Sequence, residues 1–372
     1  MATQVRTFQF RLPRGAHEAH LEAAAEHLSG VERRLHTRLA RLMRRAGEEG
    51  WSAMAVRDAR NALKRETLAR EGVSGRQFNG VIRLLEGRHD AVREQARTRM
   101  ENAKREKRRV ESALGRDESR LSRHDVARAA IAARETAGRK ATKSQLSRRL
   151  DPETVRRLRN AVHQRKRRLA RIEARIATAD RERSKTRIPS MVFGSKALLR
   201  ERAKIHPNDA SALSAWRRRW DEARSAQFFC LGSSDETAGC KECRAAVEDA
   251  GTRAISLSVK SPPGLDASGA PARIEIPGIR LPEFGGAEIV EALSRHAAGE
   301  RRVALSWRFV RTPGWRDSET LSAWRVLVTF RQEMPEAAFS STRGALGIDV
   351  NADHLALARV DGRGNPVEIR RI

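Results

Sequence analysis

Apolar and polar positions alternate along Val5-Arg6-Thr7-Phe8-Gln9-Phe10-Arg11-Leu12, the period of a half-buried strand, and Pro13 and Gly15 end it. From about His17 the apolar spacing changes to three and four. Leu21, Ala24, Ala25, Leu28, Val31, Leu35, Leu39 and Leu42 then form one stripe of an amphipathic helix. Helical patterning continues to about Lys185. It breaks at Gly72 to Gly75, where Ser74 is placed to cap the next helix. It restarts at Asp151-Pro152, an N-cap aspartate followed by proline at the first helical position. Behind that start, Val155, Leu158, Val162, Leu169, Ile172 and Ile176 trace a further stripe. Residues 16–187 are therefore predicted to be a helical lobe.

Pro189 closes the lobe and the pattern shortens. Gln227 to Leu231 reads as a strand. Arg244 to Asp249, turned by Ala250-Gly251 into Thr252 to Val259, reads as a hairpin. Arg273 to Ile276, Val303 to Phe309 and Trp324 to Phe330 are further strands, with a short helix at Ala287 to Ala297. Short strands and turns at this spacing predict a small β-barrel. The isolated N-terminal strand completes it, which makes the helical lobe an insertion after the barrel's first strand. A last hairpin follows, with Asp349 near the end of its first strand and an alternating second strand from Leu355 to Val360.

Charge narrows the partners. The 372 residues carry 75 Lys+Arg against 47 Asp+Glu, a net charge of +28, and nucleic acid is the commonest large polyanion. The rival, an anionic membrane, finds no long apolar run, and no basic-then-apolar signal segment opens the chain, so a soluble cytoplasmic protein is expected. Three cysteines give no disulfide framework. The charge concentrates at residues 101–187, with 28 Lys+Arg and 12 Asp+Glu, an excess of sixteen (28 − 12). Guanidinium groups pair bidentately with phosphate oxygens, so Arg165, Lys166, Arg167 and Arg168 are candidate backbone contacts. Lys196, Arg200 and Arg202, after Gly194-Ser195, are candidates of the same kind. Trp216 and Trp220, four apart beside three arginines, suit base stacking, but helical spacing favours core packing for them.

Two sets of residues invite metals. Cys240-Lys241-Glu242-Cys243 is half of a zinc site, for which His206 or another segment would supply the remainder. Zinc sites usually show two such halves, so zinc is not favoured, and Cys230 reads as a buried strand thiol. Asp349 suits Mg²⁺, because phosphodiester hydrolysis with two metals needs carboxylates on a rigid platform.

Three segments carry a resemblance: Val192-Phe193-Gly194-Ser195-Lys196, Phe228-Phe229-Cys230-Leu231-Gly232-Ser233-Ser234-Asp235-Glu236-Thr237, and Gly347-Ile348-Asp349-Val350-Asn351-Ala352-Asp353-His354-Leu355-Ala356. In this order they resemble the OrfB/TnpB proteins of insertion sequences, relatives of type V CRISPR effectors. The likeness covers residues 190–372, and the helical lobe matches in character only. It implies an α+β multidomain chain in which a β-barrel wedge domain (1–15 and 188–342) is interrupted by a helical recognition lobe (16–187). The first β-hairpin of an RNase H-like (RuvC) domain follows at 343–372. It also implies an RNA-guided DNA endonuclease with guide RNA and DNA as partners and Mg²⁺ as cofactor, in which Asp349 is the first RuvC aspartate. The family's later glutamate, zinc ribbon and last aspartate are expected beyond Ile372, so Cys240 and Cys243 are not equated with that ribbon. The rival expectations are a non-catalytic nucleic-acid-binding protein on the same lobe and barrel, and a cut-and-paste transposase of the RNase H-like class.

Overall fold

A computed structural model of the chain describes residues 2–184, 187–269, 271–299, 303–311, 321–334, 344–350 and 354–372. It is a mixed α+β protein, mostly helical, with several small antiparallel sheets. Strand β1 (Ala2–Pro13) leads into helix α1 (His17–Glu48), which buries the stripe from Leu21 to Leu39 as its spacing predicts. The helical region then breaks where no strong signal stood. Gly50 adopts a left-handed φ of 65°, and Ser52 caps α2 (Ala53–Glu71) by accepting from the Ala55 amide.

Ser74 opens α3 (Gly75–Thr136) with reciprocal capping: its hydroxyl accepts from the Gln77 amide, and the Gln77 side chain accepts from the Ser74 amide. Gly80 sets how closely α3 lies on the strand region. A Cβ there would stand 2.6 Å from the Phe229 carbonyl oxygen. A short α4 (Lys143–Arg148) and then α5 (Pro152–Arg183) follow, α5 capped by Asp151 with Pro152 in its first turn, as expected. Helices α3 and α5 form one long antiparallel hairpin. Ala103, Val110 and Ile172 seal its centre, with Leu169 and Ile176 packed against them.

Past the lobe, α6 (Lys196–Arg202) and α7 (Ala210–Arg224) precede β2 (Gln227–Cys230), β3 (Cys243–Asp249) and β4 (Ala254–Lys260). Strand β5 (Arg273–Arg280), helix α8 (Glu283–Ala297), β6 (Ser306–Arg311) and β7 (Leu321–Met334) complete this region. The expected barrel strands fall into two sheets. One has the order β1-β7-β6-β2, so the N-terminal strand does find its partner more than 300 residues away; the other is β3-β4-β5. Trp307, Trp324 and Phe309 fill the first with rings at 1% exposure or less, and Phe228 stacks on Phe309 with centroids 4.7 Å apart. Ile255, Leu257, Ile274, Ile276 and Ile279 fill the second. Strand β6 begins three residues later than its apolar run, because the Val303 and Leu305 amides bond instead to His296 and to the Gly239 carbonyl.

Contacts divide the chain into two units. One is residues 8–328, with the lobe and most of both sheets. The other is residues 1–7 with 329–372, containing β8 (Ala345–Val350), β9 (Leu355–Val360) and β10 (Pro366–Arg371). The last three strands form an antiparallel meander, ordered β10-β9-β8. The hairpin was expected and the third strand was not. Its turn is closed by Asp361, whose carboxylate accepts the amides of Arg363 and Asn365 at 2.9 Å and so stays below its ordinary pKa.

Candidate nucleic-acid interface

The cations of the lobe stand on the outer surface of the α3–α5 hairpin because its inner face is committed to Ala103, Val110 and Ile172. Many of them are engaged across the two helices. Lys166 Nζ lies 2.8 Å from Glu118, Arg165 pairs with Asp117, and Arg168 and Arg175 both reach Glu106, at 2.7 and 2.9 Å. The hydrogen bonds from Arg168 and then Arg175 hold the Glu106 carboxyl below its usual range. Three of the four expected phosphate-binding side chains thus also tie α5 to α3, while Arg167 is exposed. Sequence spacing missed this, since the pairing acids lie about fifty to sixty residues away.

The end of the hairpin differs. A cleft of about 690 Å³ opens there between α3, α4 and the start of α5, lined by Arg128, Arg149, Arg156 and Arg159 with Leu146, Leu150 and Val155. Buried His124 positions the connecting chain, its Nδ1 accepting the Leu150 amide at 2.9 Å.

The second expected cluster lies on α6 and α7. Ser195 caps α6 by accepting from the Leu198 amide, leaving Lys196 and Arg200 exposed. Arg202 instead turns back to the Ile205 carbonyl and lies over the Trp216 ring, 5.9 Å from its centroid. Trp216 and Trp220 were expected in the core. The structure corrects this: the rings stack on each other at 5.4 Å and 15°, half-exposed, on a helix with no buried residue. Arg224 covers the far ring at 5.6 Å, and Trp216 Nε1 donates to the Leu198 carbonyl at 2.8 Å.

Cys230, Cys240 and Cys243 are free and buried. Burial raises all three thiols, Cys240 to about 11, and the Cys240 sulfur accepts the Cys243 amide at 3.4 Å. His206, the suggested fourth ligand, is exposed and uses Nδ1 to accept the Asn208 amide.

Asp349 is exposed on β8, opposite Ala356 in the register. Asp353 lies outside the described residues, and His354 bonds through Nδ1 to the Arg371 guanidinium at 3.2 Å. Among the described residues, no three His, Cys, Asp or Glu side chains gather as a metal site would require. The described residues alone therefore do not assemble a Mg²⁺ pair at Asp349.

No helix among the described residues is long and apolar enough to cross a membrane. No protein-family model matches the chain, and no relative is found among curated proteins.

Proposed function

We propose that this chain binds nucleic acid as an OrfB/TnpB-type protein, with guide RNA and DNA as its partners and the lobe as the main RNA-binding surface. The observation that carries this is the α3–α5 hairpin, whose excess of sixteen positive charges over residues 101–187 stands on a stiff two-helix stem. A surface of that kind follows a phosphate backbone and releases counterions when it binds. Under this proposal the two central sheets are the wedge domain and the β8–β9–β10 meander opens a RuvC-like domain, with Asp349 as its first carboxylate. Cleavage of DNA with Mg²⁺ is the activity the resemblance implies for that domain once further acidic groups complete it.

The test is binding of the whole chain to a labelled single-stranded RNA over a salt series. Log K should fall linearly with log[salt], by about 0.7 per phosphate neutralised. RNA of defined length that co-purifies with the chain would favour the guided reading over the transposase. Affinity that is flat between low and moderate salt would remove the proposal.

A further inference from the structure

We propose that the cleft at the end of the α3–α5 hairpin seats one unpaired nucleotide of the bound strand. This rests on the nucleic-acid reading above and makes it specific. The cleft brings together side chains from three separate stretches: Arg128 of α3, Leu146, Arg149 and Leu150 around α4, and Val155, Arg156 and Arg159 of α5. Its volume of about 690 Å³ falls in the range of small-molecule sites, roughly 300–1,000 Å³.

The cleft gathers four arginines at one place, whereas the stem mixes paired cations with exposed ones such as Arg105, Arg109, Arg167 and Arg171. On the stem, Arg165, Lys166, Arg168 and Arg175 each meet an acid of the opposite helix. Among the described residues, none of Arg128, Arg149, Arg156 and Arg159 is in an ion pair. The one carboxylate in the wall, Asp151, is occupied by the Thr154 amide at 2.8 Å as the cap of α5. Four guanidinium groups sharing one cleft repel one another until an anion enters, and a phosphodiester is the anion this protein is proposed to meet.

The wall of the cleft is apolar beside these guanidinium groups. Leu146 is 51% exposed on a helix of six residues with none buried. With Leu150, Pro152 and Val155 it makes an apolar surface beside the guanidinium groups. A base pushed against it loses water from one face while its phosphates stay on the arginines. A paired base keeps its faces in the duplex stack, so the site selects single strands or looped-out nucleotides.

The experiment uses the full chain, a fluorescein-labelled single-stranded 15-mer RNA and the blunt duplex of the same sequence. The tip variant replaces Arg128, Arg149, Arg156 and Arg159 by Gln. A stem control makes the same change at Arg105, Arg109, Arg167 and Arg171, which are exposed and remove an equal charge. The tip variant should lose about tenfold or more in single-strand affinity, with a salt slope lower by about 2 to 3. The stem control should lose clearly less. Leu146→Ser, at an exposed site that should not disturb folding, should weaken single-strand binding several-fold and leave duplex binding unchanged. Equal losses in the tip and stem variants, or a Leu146→Ser effect alike on single strand and duplex, overturn the cleft assignment while the general reading stands. Failure of the wild-type chain to bind either RNA overturns both.

Discussion

Trp216 and Trp220 lie face to face with their centroids 5.4 Å apart, held between Arg202 at one end of the stack and Arg224 at the other. Because α7 has no buried residue, it is tied to α6 through side chains: Arg202 over the Trp216 ring, the Trp216 bond to the Leu198 carbonyl, and the bidentate Arg219–Glu201 ion pair at 2.7 and 2.9 Å. Trp216→Ala should therefore free α6, seen as faster amide exchange over residues 196–224, with little change in the global unfolding midpoint. Trp216→Phe should keep the stack and lose only the hydrogen bond, a cost of about 1 kcal/mol. Unchanged exchange in Trp216→Ala would show that the Arg219–Glu201 pair, and not the tryptophan, holds the two helices together.

Ile172, at 1% exposure, touches Ala103 and Val110 at the centre of the α3–α5 stem. Ile172→Ala should destabilise the hairpin by about 2 to 5 kcal/mol through the cavity it leaves. Thermal unfolding followed by helical circular dichroism measures this. Loss of less than about 1 kcal/mol would mean that the stem collapses around the gap.

Replacing Arg165, Lys166, Arg167 and Arg168 together by Gln should weaken RNA binding and lower its salt slope. The helices should stay folded, because the Lys166 and Arg168 pairs are exposed and contribute little. The half-buried Arg165–Asp117 pair is one contact beside the apolar seam of Ala103, Val110 and Ile172. A collapse of helical signal in this variant would assign the cluster to architecture rather than to phosphate contact.

His36 Nδ1 and His89 Nε2 are 3.1 Å apart, one imidazole donating to the other. Burial, with help from His36 and Arg93, lowers His89 from 6.5 to about 4, and burial also lowers His36. Arg93 acts on His89 in the same direction as burial, and Asp90 opposes it. An imidazole with a depressed folded-state pKa is protonated more readily in the unfolded chain. The stability it contributes is complete above about pH 6.5 and is lost as pH falls towards 4. The unfolding midpoint should drop across that window, and His89→Gln should flatten the drop. A pH profile identical to wild type would remove the pair as its origin.

Under the proposed function, DNA binding by this chain should not require Mg²⁺, because it rests on the cations of the lobe. Asp349→Ala should leave RNA affinity unchanged. Cleavage that appears with Mg²⁺ and vanishes in Asp349→Ala would show that residues outside the described ones, such as Asp353, complete the site.

What the sequence disclosed was local. Ser74 and Asp151-Pro152 announce their helices because a cap is a bond between neighbours, and the stripe from Leu21 to Leu39 does so because its spacing is the helix period. The second strand of the last hairpin, Leu355 to Val360, came out at its observed bounds for the same reason. The third strand, Pro366 to Arg371, did not, because its charged residues leave little alternation to read. Nor did the cleft: Arg128, Arg149 and Arg159 are brought together only by the folding back of α5 on α3. The paired state of Arg165 and Arg168 was hidden in the same way. Of the site proposed here, the sequence showed the charge but not which charges are spoken for.

The stem also has a length. Helix α5, with 32 residues, extends about 48 Å at 1.5 Å per residue. At the 3.4 Å per base step of B-form DNA that is about 14 steps of a DNA duplex. A nucleic acid that touches both ends of α5 must cover that span, so the hairpin acts as a ruler. Shorter oligonucleotides engage one end or the other, and affinity plotted against length should show a step near this value instead of a smooth rise.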